Sequence, residues 1–192
     1  MSGVTHHAEG GDDLAPARPT TADILINLAG FQVAWLSLAV SAAAGASHWG
    51  ILVALVAMAV HLARSPSSRP EVLLAVSAVV IGAAVETALA AATAVSPAAS
   101  GPWPPFPPFW LLALWAVFAT LLNVTLRPLC PHIVLQVCLG CLFVPLSYYA
   151  GDALGALTLL APVATSLGLV GLAWAFALPL LMALARRLDG WR

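Results

Sequence analysis

The sequence predicts an all-α fold: a polytopic transmembrane helical bundle with six spans and with both the N and the C terminus in the cytoplasm. Three observations support this prediction. Apolar residues make up 61% of the 192 residues and charged residues only 8%, with a mean hydropathy of +0.98, whereas roughly a quarter of a soluble domain is charged. Apolar stretches follow one another with short gaps. The arginines fall only in segments that six spans place on one side of the membrane.

The apolar stretches define three regions of the chain. Residues 1–21 are polar and rich in Gly and Pro, so they are predicted to be a disordered head. Residues 22–187 form the predicted transmembrane domain, and residues 188–192 a short cytoplasmic tail. A spanning helix needs about 20 apolar residues, and Thr21 is a suitable N-cap for the first one. The spans are predicted at about 22–43, 49–64, 71–94, 109–127, 131–150 and 160–186, with kinks at Pro145 and Pro179.

The placement of arginine predicts the orientation. The chain has no Lys, and its arginines lie in the head, the loop between spans two and three, the turn between spans four and five, and the tail: Arg18, Arg64, Arg69, Arg127, Arg186, Arg187 and Arg192. The opposite loops carry Asp152 as their only charge. The positive-inside rule therefore puts both termini in the cytoplasm. Adding or removing one span would break this segregation, so the arginines also support the number six.

The loop between spans three and four has the sequence SPAASGPWPPFPPFW, whose proline density excludes a helix or a central strand. Two interpretations are open. Trp103, Phe106, Phe109 and Trp110 can form an aromatic rim at the membrane interface, or the loop can be a lid over an outward-facing cavity.

A layer of polar residues lies within about two helical turns of the predicted cytoplasmic face. Helical spacing places each of them on a stripe of small residues, which indicates that they point into the bundle. The candidate catalytic residues here are His61 as general acid/base and Glu71 as the group that orients it. Arg64 or Arg127 would hold an anion. In the alternative interpretation the layer is structural, because such side chains often satisfy one another or extend to the headgroups. The binding candidates of this layer are Asn27, Arg64, Asn123 and Arg127.

Glu86 is the third catalytic candidate, and it lies about 22 Å from Glu71 along the same helix. That separation excludes a carboxylate pair. No Arg is available at its depth, and an unpaired carboxyl group in an apolar surrounding takes up a proton. We therefore expect Glu86 to be neutral at pH 7 and to donate a hydrogen bond to Tyr148, a Ser of the first helix or a backbone carbonyl. Trp115 and Tyr148 are the binding candidates at this depth.

No metal site, cofactor or nucleic-acid partner is predicted. Cys138 and Cys141 have CxxC spacing, but inside an apolar span they are expected to be buried and to act as small apolar side chains. A net charge of −1 without a large basic patch argues against nucleic acid. The bilayer is the predicted partner.

Several segments together resemble a family of small bacterial inner-membrane proteins catalogued as domain of unknown function 2878. The resemblance rests on NLAGFQVAW at 27–35, the pattern H…SP..RPEVLL at 61–74, GAAVETAL at 82–89, FWLLALWAVFATLLN at 109–123 and PLSYYAGDALGAL at 145–157. It implies a multi-pass protein of the bacterial inner membrane. Members often occur beside lipid-modifying genes, which implies by association a role in membrane lipids and a membrane-lipid enzyme as partner.

The sequence leaves three functions open. The first is handling or modification of membrane lipids. The others are transport of a small solute or proton by Glu86, and a non-catalytic partner subunit of a lipid-modifying enzyme. A lipid role predicts a lateral opening toward the bilayer, whereas a transporter predicts a continuous polar path from Glu86 to both faces.

Overall fold

A computed structural model describes residues 18–98 and 104–192. It contains six helices, one of them divided by a π-helical turn into two α-helical parts, and these helices confirm the predicted helical bundle. The predicted disorder of residues 1–17 and the predicted position of Trp103 lie outside these ranges. The elements are α1 (Thr21–Ala43), α2 (Ser47–Arg64), α3 (Ser68–Ala91), β1 (Val95–Pro97), α4 (Phe109–Leu122), α5 (Ile133–Cys138), α6 (Val144–Ala153), β2 (Leu157–Leu159) and α7 (Val163–Arg187).

Five of the helices are long and apolar enough to cross a membrane. They are α1, α2, α3, α7 and a continuous helix over Ile133–Ala153 that contains α5 and α6. The remaining helix, α4, has 14 residues, or about 21 Å. It packs on α1, α2, α3 and α7, and after Phe109 every residue of it is buried or half-buried. An all-round apolar helix of this kind belongs in the core, so α4 is the central helix of the bundle.

The helix over Ile133–Ala153, here called the bent helix, changes geometry at its middle. Residues Leu139–Phe143 form a π-helical turn between α5 and α6. Pro145 follows directly, and proline cannot donate the backbone hydrogen bond that a regular helix needs. A π turn is one of the recognised ways to accommodate such a break. α7, by contrast, stays α-helical through Pro179.

The two ends of the bundle differ in chemistry. Each salt bridge among the described residues involves a side chain at the end where α1 begins and α7 stops; we name it the arginine end. The other end, here the loop end, carries two short strands that the sequence did not predict. β1 pairs antiparallel with β2, and the Asp152 carboxylate accepts the Leu159 N–H at 3.0 Å. The strands join the two loops of this end.

Several helix limits differ from the predicted ones. Thr20, not Thr21, caps α1: its hydroxyl accepts the Asp23 N–H at 3.2 Å and the Asp23 carboxylate accepts the Thr20 N–H, which is a capping box. α4 stops at Leu122 rather than at 127. There the Leu126 N–H returns to the Leu121 carbonyl at 2.7 Å, a bond typical of a closed helix end.

At the loop end, α3 stops at Ala91 rather than at 94, where Thr93 takes a positive φ of 53°. The remaining limits move by up to three residues. Cys138 and Cys141 are free and exposed rather than buried.

Candidate functional site

Glu71 and His61 form the first polar cluster, at the arginine end. His61 Nε2 lies 3.0 Å from Glu71 Oε2, and both side chains are almost fully buried. Glu71 Oε1 accepts two further hydrogen bonds, from Asn123 Nδ2 at 2.8 Å and from the Gly190 N–H at 2.9 Å. The Glu71 carboxylate is therefore bonded on both oxygens, as a buried acid requires.

Asn27 extends this cluster toward α1 and α4. Its Nδ2 lies 3.4 Å from His61 Nδ1 and donates to the Thr120 carbonyl and hydroxyl at 3.1 Å each. Its Oδ1 accepts the Thr125 hydroxyl at 2.7 Å. We call His61, Glu71, Asn27 and Asn123, with the groups that bond them, the Glu71 cluster. It brings together four residues that the sequence singled out: Asn27, His61 and Glu71 from three helices, and Asn123, which follows α4.

The two arginine candidates are engaged in pairs outside this cluster. Arg64 binds the Asp23 carboxylate, with Nη2 at 2.6 Å from Oδ1. Arg127 binds Asp189, with Nη2 at 3.0 Å from Oδ2, and Arg192 shares the same carboxylate at 3.2 Å. Each guanidinium therefore already pairs with a carboxylate, and neither arginine bonds His61, although Arg64 and His61 line the same space.

The C-terminal segment Leu188–Arg192 closes the Glu71 cluster. Asn123 Nδ2 donates to the Leu188 carbonyl at 2.8 Å, and the Ser67 N–H donates to the Gly190 carbonyl at 3.0 Å. Trp191 is only 4% exposed and its ring faces His61. The predicted tail is thus packed against the bundle and supplies one hydrogen-bond donor, the Gly190 N–H, to Glu71.

Glu86 forms the second cluster, nearer the loop end. Its Oε1 accepts the indole N–H of Trp115 at 3.0 Å and the hydroxyl of Tyr148. Trp174 donates to the Tyr148 hydroxyl at 3.5 Å and stacks on Trp115 with ring centres 4.4 Å apart. We call these four residues the Glu86 cluster. The expected partner Tyr148 is confirmed, but the expected direction is wrong: the phenol donates and Glu86 accepts. Ser41 of the first helix instead accepts the Gly50 N–H.

Glycines on neighbouring helices make this arrangement possible. A Cβ at Gly82 would lie less than 3.0 Å from three atoms of the Trp115 ring, so α3 can receive Trp115 only where it has no side chain. Gly140 packs in the same way on the backbone of Trp174, and Gly171 packs on the carbonyl of Cys141. These close approaches hold the bent helix against α7 and place Trp174 beside Tyr148.

A cavity of about 240 Å³ adjoins the Glu86 cluster. Its walls are mainly apolar and include eight of the fifteen aromatic residues of the chain: Phe31, Trp35, Trp110, Trp115, Phe118, Phe143, Tyr148 and Trp174. Glu86 is the one acidic residue among the described lining residues, and none of them is basic. We name it the aromatic cavity.

The aromatic cavity lies between α1 and the bent helix. α1 packs on α2 and α4, while the bent helix packs on α7, and α1 and the bent helix form no extended interface within the described part of the chain. At this gap Phe143 is 60% exposed, Ser147 is exposed, and Trp35 is half-buried. The cavity therefore opens sideways, between two membrane-crossing helices.

The chain matches the family described as protein of unknown function (DUF2878) over residues 24–180. It belongs to that family. No curated protein and no solved structure matches the chain. Both carboxyl candidates of this DUF2878 protein lie inside the matched range, whereas Gly190, which bonds Glu71, lies beyond it.

An apolar layer separates the two clusters of this DUF2878 protein. Its side chains are fully buried and come from α3, α4 and α7: Leu74, Ala78, Leu122, Leu178, Leu181 and Met182. Among the described residues no polar side chain links Glu86 to the Glu71 cluster. The continuous polar path that a transporter predicts is not present in this conformation of the described residues.

Sequence reasoning missed four residues that complete the two clusters of the DUF2878 protein. Asp23 and Asp189 neutralise the arginines, and Gly190 and Trp174 contact Glu71 and Tyr148. The signal for Asp189 was available, because an acid in a short tail beside several arginines is a natural partner for them. Nothing in the local sequence indicates that Gly190 donates to a carboxylate 119 residues earlier.

Proposed function

We propose that this membrane protein binds the hydrophobic chain of a membrane lipid in the aromatic cavity, as part of lipid handling or modification. The observation that carries the proposal is the sideways opening of the cavity between α1 and the bent helix. A soluble ligand would need an aqueous mouth, whereas a lipid chain enters from the bilayer without leaving an apolar surrounding. The arginine end would face the cytoplasm, as the positive-inside rule predicts.

The size and lining of the cavity support a chain rather than a headgroup. An apolar cavity of about 150 Å³ already accommodates a benzene molecule, so the larger space here admits several methylene groups or an isoprenoid unit. Aromatic walls supply large apolar contact areas with few rotatable bonds. A charged headgroup would lose its hydration at this depth with no described cation to compensate for it.

Glu86 gives the cavity one specific polar contact. The indole of Trp115 and the hydroxyl of Tyr148 both donate to its Oε1, and no described residue bonds Oε2. Oε2 can therefore hydrogen-bond a hydroxyl or carbonyl group of the ligand. Trp115 and Tyr148 hold the carboxyl group in position, and such fixed polar groups orient a ligand in an otherwise apolar pocket.

Photo-crosslinking tests this proposal. The purified protein in phospholipid vesicles is irradiated with a fatty acid that carries a diazirine on its chain, and labelled peptides are mapped by mass spectrometry. We expect label on the cavity walls, at Phe31, Trp35 and Trp174. Ser147→Phe, which places a ring at the mouth, should reduce that label at least fivefold.

Leu146→Phe is the matched control, because Leu146 is next in the chain, 62% exposed and not part of the cavity wall. It should leave the labelling of the cavity unchanged. Label confined to outward-facing residues, or equal labelling in both variants, would contradict the proposal.

A further inference from the structure

A second space reaches Glu86 from the loop end. It measures about 300 Å³ and lies between the last turn of α3, β1 and the proline-rich segment 104–108. Glu86 and Ala90 line it on one side, one helical turn apart on the same face. Pro104, Phe106 and Ser96 line it on the other side, and all three are exposed. We name this space the vestibule.

The vestibule differs from the aromatic cavity in its surroundings. Its wall includes Ser96 and the prolines of segment 104–108. It lies at the end of the bundle where α3 has five residues left after Glu86. Five residues correspond to about 7.5 Å of helix, which places Glu86 close to the interfacial region at this face. Segment 104–108 of the loop lines this space.

The opposite route to Glu86 is filled. From the arginine end, the apolar layer occupies the interior between Glu71 and Glu86 with side chains that are 0% exposed, including Leu74, Leu178 and Met182. Water or a small polar molecule would have to cross the length of that layer without a polar partner among the described residues, which costs several kcal/mol for an unpaired polar group.

We propose that the vestibule is the aqueous entrance to Glu86, through which water or another small polar molecule reaches the carboxyl group from the loop end. The aromatic cavity is the route to Glu86 from the bilayer, and this part of the inference rests on the proposed function. Glu86 then stands where an apolar ligand and a polar reactant meet. No described residue of the vestibule carries a positive charge, which argues against an anion as the molecule that it admits.

Single cysteines test the entrance. In a background in which Cys130, Cys138 and Cys141 are replaced by Ala, Ala90→Cys probes the vestibule. Ala78→Cys probes the apolar layer, and it is fully buried. The protein is reconstituted in vesicles, and a membrane-impermeant methanethiosulfonate is added to one side at a time. Arg192→Cys reports which side is the arginine end.

We expect Ala90→Cys to react at least tenfold faster than Ala78→Cys, and only from the side opposite to Arg192→Cys. No reaction at Ala90→Cys, reaction from the arginine side, or reaction of a folded Ala78→Cys protein would overturn the proposed entrance.

Two carbodiimides applied to the unaltered protein separate the two routes. Each adds the carboxyl O–H across a carbon–nitrogen double bond, and the adduct is read on the Glu86 peptide with Glu86→Gln as the blank. A water-soluble carbodiimide on the loop side should label Glu86 if the vestibule is open; its failure contradicts this inference alone. A lipid-soluble carbodiimide should label it through the aromatic cavity; its failure contradicts the proposed function.

Discussion

Replacing Gly82 by Ala tests how the Glu86 cluster is held together. The added methyl group would lie less than 3.0 Å from three atoms of the Trp115 indole. Trp115 is 2% exposed and lines the aromatic cavity, so its ring can yield only by moving away from Gly82 toward that cavity. It must shift, and its hydrogen bond to Glu86 Oε1, 3.0 Å long, is then stretched or lost. The stack on Trp174 is disturbed at the same time.

The expected loss of stability follows from three terms. Overpacking of a dense core costs about 1–3 kcal/mol, and a buried indole N–H that loses its acceptor costs about 1–3 kcal/mol. Replacing Gly by Ala inside a helix returns up to about 1 kcal/mol. The net destabilisation is about 3 kcal/mol. For a chain of this size it lowers the unfolding midpoint by about 6–12 °C.

Thermal unfolding in a mild detergent measures this loss, with helix content and tryptophan emission as the two signals. Gly168→Ala is the matched control, because it also adds a methyl group to a helical glycine and meets no atom within 4 Å. It should change the midpoint little or raise it. If Gly82→Ala unfolds at the same temperature as Gly168→Ala with unchanged tryptophan emission, Trp115 is not packed on Gly82.

Three further outcomes are expected from the arginine end and from the topology. Gly190→Ala should lower the unfolding midpoint, because its Cβ would lie 2.9 Å from Glu71 Oε1 and would displace the C-terminal segment; an unchanged midpoint would show that this segment does not dock on Glu71. His61→Ala should destabilise the protein by about 1–3 kcal/mol, because it leaves Glu71 Oε2 without its partner, and His61→Gln should lose less. Equal midpoints for the two variants would contradict a bonding role for His61. Reporter fusions should signal the cytoplasm when they are placed after Arg69, Arg127 and Arg192. Fusions at Ser100 and Asp152 should signal the outside, and two reporters on the wrong side would refute the six-span topology.

The helices themselves were predictable because the bilayer restricts what an apolar chain can do. In a lipid core every backbone group must be bonded internally, so an apolar stretch of sufficient length becomes a helix whatever its neighbours are. The start of α4 at Phe109 was predicted, but its end was not. A closing bond from Leu126 to Leu121 ends it, and its central place in the bundle depends on contacts with four other helices.

The polar residues show the same division. Helical spacing and small neighbours were enough to predict that His61 and Asn27 point inward at one depth, and that Glu86 does so at another. The partners required the tertiary structure. Gly190 reaches Glu71 from the far end of the chain, and Trp174 reaches Tyr148 because Gly140 lets two helices touch.

The sequence by itself determined the fold class, the depth of each polar residue and the segregation of arginine, since these depend on periodicity and on the cost of placing charge in lipid. Only the tertiary structure decided which side chains bond one another and that an aromatic cavity opens between α1 and the bent helix. Periodicity shows which face of a helix is buried but not which neighbour covers it. A gap between two helices exists only once all of them are packed.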